Sequence, residues 1–107
     1  MLFADFITEH EGLHFALEES ILLPALPTDE RSQSLAASVL TDHEYLRDVA
    51  QRLKADQLEP TTELTTVLGV RFRDHVRLEE RELFPYIESV LEPEALARIG
   101  EQLAAAS

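Results

Sequence analysis

The sequence predicts an all-α fold, an antiparallel up-and-down helical bundle formed by a single domain over residues 1–107. Three observations carry that expectation. Apolar residues recur at alternating steps of three and four through long stretches, the spacing of one helix face. Leu and Ala dominate while Gly occurs only 3 times, a composition that favours helix. Strand-like alternation is absent, and short connections separate the periodic stretches, as between antiparallel neighbours.

The first helix is predicted from Leu2 to Leu23, with Phe3, Ile7, His10, His14, Glu18 and Ile21 on one face. Pro24 and Pro27 bring it to an end. Pro27-Thr28-Asp29 offers a cap for the second helix, Glu30 to Gln57, whose seam reads Leu35, Val39, His43, Leu46, Ala50, Leu53. A loop around Leu58–Thr62 follows, with Pro60 suited to a helix start. The third helix, Thr61 to Leu91, has the seam Leu64, Leu68, Phe72, His75, Glu79, Leu83, Tyr86, Val90. Pro85 lies inside it and is expected to cost a hydrogen bond and bend the axis. A short last helix, Pro93 to Ala105, presents Leu96, Ile99 and Leu103 as a narrow apolar face.

Composition narrows the function classes. Lys and Arg number 9 against 21 Asp and Glu, a formal net charge of −12. Such a surface repels phosphates, so nucleic acid and anionic membrane surfaces are excluded as expected partners. There is no Cys, which excludes disulfides, thiolate-held zinc and iron–sulfur clusters. Any metal must be held by nitrogen and oxygen. Asp5 and Glu9 stand where a signal peptide would be basic and then apolar. The longest apolar run, Ile21 to Leu26, is too short to span a bilayer. A cytoplasmic setting is the expectation.

One phrase is written twice. Residues 14–26 read HFALEESILLPAL and residues 75–87 read HVRLEERELFPYI. Both contain His-x-x-Leu-Glu-Glu followed by Leu-x-Pro. His14 and Glu18, like His75 and Glu79, are four apart, which puts each pair on one helix face a turn apart. An imidazole nitrogen and a carboxylate oxygen aimed at one point are ligands for a first-row transition metal.

The seams add weight to the motif. Three helices place ionisable groups on the stripe that ought to be apolar: His10, His14 and Glu18, then His43, then His75 and Glu79. Burying a lone carboxylate costs several kcal/mol unless it is compensated. Each interruption has apolar residues on both sides, so antiparallel neighbours can bring all of them to one level. The competing reading is a buried His–Glu hydrogen-bonded network without metal. Glu19 and Glu80 point about 100° away from the ligand positions. They are expected at the surface, or orienting a liganding His through its other nitrogen.

Other motifs fit less well. Residues 10–14, His-Glu-Gly-Leu-His, match the zinc metalloprotease helix. The chain is short for such an enzyme, offers no edge strand to hold a peptide, and has Gly12 where rigidity is needed. Ferritin-type sites use Glu-x-x-His on two helices, and only Glu11–His14 has that spacing.

These residues resemble the hemerythrin-like, or HHE cation-binding, family. The pattern carried is His14-x-x-x-Glu18-Glu19 with Pro24, His43 opening the phrase His-Glu-Tyr-Leu, and His75-x-x-x-Glu79-Glu80 with Leu83-Phe84-Pro85. The resemblance implies an antiparallel bundle around a non-haem di-iron centre, with Glu18 and Glu79 bridging the irons and histidines capping them. Implied roles run from reversible dioxygen binding to sensing or handling iron. Family members usually begin with a further helix that supplies another iron-ligating His, whereas here the His-x-x-x-Glu-Glu helix starts at the first residue. A site short of one ligand, His10 as the substitute, a second subunit, and a start that omits upstream sequence all stay open. A homodimer is the expected assembly, because an unlined groove exposes an apolar strip and two-fold pairing is the commonest closed solution.

The expected function is that of a non-haem iron protein, di-iron by resemblance, binding dioxygen or sensing or handling iron. Its candidate ligands are His10, His14, Glu18, His43, His75 and Glu79. Zinc or manganese suit the same donors. The alternatives are an oxygen- or peroxide-activating di-iron enzyme and a metal-free helical interaction domain. The enzyme ranks behind, because it needs a reductant and a substrate cavity that the sequence does not reveal.

Overall fold

The computed structural model describes residues 2–106, with the side chains of Leu2, Phe3 and His10 outside that description. No strand occurs among the described residues. Helix α1 covers residues 2–25 as a succession of turns. The α-helical turns Leu2–Asp5 and Gly12–Leu17 alternate with wider π turns at Phe6–Glu11 and Glu18–Leu22, and Leu23–Ala25 closes as 3₁₀. Helix α2 is Glu30–Lys54. Helix α3 covers residues 62–90, with Thr62–Leu78, a π turn at Glu79–Leu83, and Phe84–Val90. Helix α4 is Pro93–Ala106.

Local chemistry sets the boundaries. The Asp29 carboxylate accepts from the Ser32 N–H at 3.0 Å and caps α2, as the sequence predicts. Thr61 caps α3 by accepting from the Leu64 N–H at 3.1 Å. Helix α2 stops at Lys54 rather than continuing to Gln57, because the chain turns at Asp56, which takes φ 57°.

Among the described residues, two separate apolar clusters hold the bundle. At one end Ala4, Ile7 and Phe15 of α1 meet Leu46, Val49, Ala50 and Leu53 of α2 and Leu68 of α3. At the other, Leu26 meets Leu35 and Val39 of α2 and Leu83 and Ile87 of α3. The start of α1 thus packs on the end of α2, and the start of α2 on the end of α3, an antiparallel arrangement. Leu46, Leu68 and Leu83 are fully buried, and each contributes about 1.5–3 kcal/mol by leaving water. Helix α4 is an addition to this core, packing Leu96 against the second cluster.

The π turns shift the seams by one residue. In a regular α-helix Pro24 and Pro85 would press their rings on the carbonyls four residues earlier. Here the residue before each proline reaches back five instead: Leu23 N–H donates to the Glu18 carbonyl and Phe84 N–H to the Glu79 carbonyl. The extra residue rotates everything that follows. After Glu79 the buried positions are Leu83 and Ile87, not the expected Tyr86 and Val90. In α1, the π turn after Ile7 brings Phe15 fully inside while His14 faces outward. In that turn the Thr8 hydroxyl takes the Ala4 carbonyl at 2.9 Å, competing with the backbone for it. The seam positions Phe3 and His10 fall on side chains outside the description.

This register is open to a direct check. Ile87→Ala is expected to lower the unfolding free energy by about 2–5 kcal/mol, whereas Val90→Ala should cost about 1 kcal/mol or less. Urea denaturation of both variants measures the contrast. Equal losses would mean that the helix runs on without its extra residue.

Candidate metal centre

Between the two apolar clusters the bundle interior is ionisable. Helix α1 brings Glu18 there, α2 brings His43, and α3 brings His75 and Glu79. All four side chains are buried, and one donor atom from each lies within 4.8 Å of all the others. Two donors bound at about 2.1 Å to one ion lie at most about 4.2 Å apart, so the group has only to close by about half an ångström to hold one ion. His14 stands at the solvent edge of this layer with its side chain 52% exposed. Its Nε2 is 2.9 Å from Glu18 Oε1 and 3.7 Å from Glu79 Oε2. The expected ligands His14, Glu18, His43, His75 and Glu79 therefore converge, with His14 at the rim instead of on the seam. The side chain of the sixth, His10, is outside the description.

Among the described residues, both oxygens of Glu18, Nε2 of His43, Nε2 of His75 and Oε1 of Glu79 are buried with no well-formed hydrogen bond. His75 Nε2 and Glu79 Oε1 approach to 2.6 Å, a contact that helps to hold His75 above and Glu79 below their ordinary values. Unsatisfied buried polar groups cost about 1–3 kcal/mol each, more when charged. The chemistry of these atoms, nitrogen and oxygen donors only, fits a divalent transition metal.

Electrostatics point the same way. Burial, reinforced by the adjacent Glu79, pushes the Glu18 carboxyl up to about 9. Burial would raise Glu79 too, but contacts with His75 and Glu18 overcome it and hold Glu79 below its ordinary value. Burial lowers His43. It also opposes charge on His75, which Glu79 and Asp42 nevertheless raise. Without a cation the centre therefore retains a proton on Glu18.

The outward nitrogens are satisfied. His43 Nδ1 lies 2.7 Å from Glu19 Oε2, and that oxygen also receives Arg47 at 2.7 Å. His75 Nδ1 lies 3.1 Å from Asp42 Oδ2, and Asp42 Oδ1 receives Arg71 Nε at 3.0 Å. Phe15 stacks on the His43 ring at 4.0 Å and meets the His75 ring edge-on at 5.6 Å. Sequence reasoning placed Glu19 either at the surface or behind a histidine, and it stands behind His43. Glu80 is exposed. Asp42, Arg47, Arg71 and Phe15 were missed. The available signal was Asp42 beside the seam residue His43, but a polar neighbour of a buried position reads as ordinary surface.

Among the described residues, cavities reach this layer from the surface on two sides. One of about 490 Å³, between α1, the end of α3 and α4, is walled by Leu17, Leu22, Phe84, Ile87 and Leu96 and carries Glu18 and His14 on its side. A smaller one of about 230 Å³ between α1 and α3 opens onto His14, His75 and Glu79.

The family model of the hemerythrin HHE cation binding domain matches residues 2–87. No curated protein and no solved structure matches the chain.

The protonated Glu18 gives metal-free protein a defined pH response. A carboxyl raised from 4.5 to about 9 in the fold favours the native state fully below the lower value. That contribution is lost as pH rises towards the upper one. Raised His75 acts in the same direction above its ordinary value of 6.5. His43, held below 6.5, opposes this only on the acid side, so denaturant unfolding of metal-stripped protein from about pH 7 to about 9 should show falling stability, and Glu18→Gln should flatten the fall. A wild-type profile that rises through this range would contradict the protonated centre.

Proposed function

The chain belongs to the hemerythrin HHE cation-binding domain family, and on that premise we propose that it is a non-haem iron protein. Residues 1–107 act as one hemerythrin-like unit that binds dioxygen or senses or handles iron. The observation that carries the reading is the convergence of Glu18, His43, His75 and Glu79, whose five inward atoms are buried without a well-formed hydrogen bond among the described residues. These four residues, with His14 at the rim and His10 as a further candidate, are the proposed ligands; the carboxylates of Glu18 and Glu79 are suited to be shared between two ions. Iron bound there would supply reversible redox and ligand-binding chemistry. Zinc and manganese are compatible with the same donors.

The protein's own contribution is positional. Phe15 and the two apolar clusters keep bulk water from the inner side. Glu19 and Asp42 orient the two buried imidazoles. The large apolar cavity beside Glu18 and His14 favours a small apolar ligand such as dioxygen. The same cavity supports the second reading, an enzyme that activates oxygen or peroxide, which additionally requires an electron donor. No helix among the described residues is long and apolar enough to cross a membrane, and a cytoplasmic setting is part of the proposal.

Assembly as a homodimer is proposed as well. Phe6, Leu13, Val67 and Val70 are large apolar side chains exposed to solvent, and pairing would cover them.

Metal analysis of protein reconstituted anaerobically with Fe(II) tests the reading. Wild-type chain should retain about two equivalents of iron, as di-iron bundles do. Glu79→Ala should lose most of it, and Glu80→Ala should keep it. Equal loss in both would mean that the wrong member of the Glu-Glu pair has been assigned. Wild-type protein that retains no metal would return the domain to an interaction role. Light scattering on the same samples should give a dimer mass, and a clean monomer would reject the assembly.

A further inference from the structure

The two buried imidazoles are held from behind by carboxylates, but through different arrangements. Asp42 uses both oxygens: Oδ1 takes Arg71 Nε at 3.0 Å and Oδ2 faces His75 Nδ1 at 3.1 Å. Arg71 is itself fixed, its guanidinium lying over the Tyr45 ring at 4.5 Å. Glu19 instead uses one oxygen for both partners, with Arg47 NH1 and His43 Nδ1 each 2.7 Å from Oε2. Arg47 lies over the Phe15 ring at 5.5 Å. A carboxylate paired with Arg accepts only, so each Nδ1 must carry the proton. In a neutral ring, Nε2 is then a lone pair.

Asp42 and His43 are adjacent on α2 yet serve different helices. His43 takes its support from Glu19 on α1, while Asp42 supports His75 on α3. A single turn of α2 thereby connects both histidines to their supports.

We infer that Asp42 is a positioning residue that fixes His75 as the Nδ1–H tautomer and so aims its Nε2 lone pair into the metal centre. Glu19 does the same for His43. The inference rests on the metal-binding reading for its purpose, but not for its geometry.

The two supports respond differently to loss of charge. In Asp42→Asn, Arg71 keeps the amide oxygen at the Oδ1 place, and the NH₂ must then face His75 Nδ1. The ring switches to Nε2–H, which turns its proton towards Glu79, 2.6 Å from Nε2. A ligand nitrogen is blocked and an unpaired contact is repaired at once. In Glu19→Gln the single shared oxygen can remain an amide oxygen between Arg47 and His43, so the tautomer survives.

Ring ¹⁵N NMR of metal-free protein, at a pH where the rings are neutral, reads the tautomers. Competition titration with Zn(II) reads affinity. Wild type should show Nδ1–H on both His43 and His75. Asp42→Asn should move His75 alone to Nε2–H and weaken zinc binding about 10–100-fold, with metal-free stability undiminished. Glu19→Gln should keep its tautomer and lose less than about 10-fold. Glu44→Gln, an equal charge change at an exposed neighbour, should leave affinity unchanged. An Nε2–H tautomer on His75 in wild type would overturn the inference, as would equal losses in all three variants. Wild-type protein that binds no zinc or iron would remove the metal reading, while the NMR comparison still decides the tautomer.

Discussion

Two carboxylates and two imidazoles share one buried level of a small bundle, and only a proton on Glu18 and the His75–Glu79 contact relieve the repulsion between them. Glu18 and Glu79 come from different helices and approach the same point as His43 and His75. Left alone, that arrangement forces a proton onto Glu18 and leaves good acceptors facing each other. In a chain of 107 residues, with its modest core, such a layer is a large fraction of the available stability. The apolar clusters above and below must hold the helices together against it. A cation at the centre turns the same repulsion into attraction.

The backbone is adapted to this layer. The two π turns in the repeated phrase each begin at a carboxylate of the centre and end just before a proline. Each proline forbids a regular helix, and the wider turn that results sets the rotation of the next apolar residues. Leu22 on α1, and Leu83 and Ile87 on α3, are thereby delivered to the cluster beneath the centre, which Leu26 joins just past the end of α1. Tyr86, displaced from the interior, instead donates to the Asp29 carboxylate and meets the Ser32 hydroxyl, locking the end of α3 to the cap of α2. Π turns occur often at functional sites; here the repeated Pro supplies the local cause.

Much of this was legible in the sequence. Helical periodicity, the prolines and the two His-x-x-x-Glu-Glu phrases gave four helices and brought Glu18, His43, His75 and Glu79 to one level. The register did not come through, because a uniform helical period cannot register an inserted residue. That is why His14 was expected on the seam occupied by Phe15, and Tyr86 where Ile87 lies. The supports Asp42, Arg47 and Arg71 did not come through either. They are polar residues on half-exposed positions, and their role depends on which neighbour the helix faces. That information lies in the packing between helices, not in the spacing along one of them.

The central claim is that the unpartnered donors form a cation site and not an idle polar core. The most direct measurement is the unfolding free energy of metal-stripped protein with and without Fe(II), under anaerobic conditions at neutral pH. A ligand that binds only the folded state at 100 times its dissociation constant adds about 2.7 kcal/mol. The account predicts a gain of at least that order, growing with Fe(II) concentration. Unfolding curves that superimpose with and without Fe(II), Zn(II) or Mn(II) would contradict it.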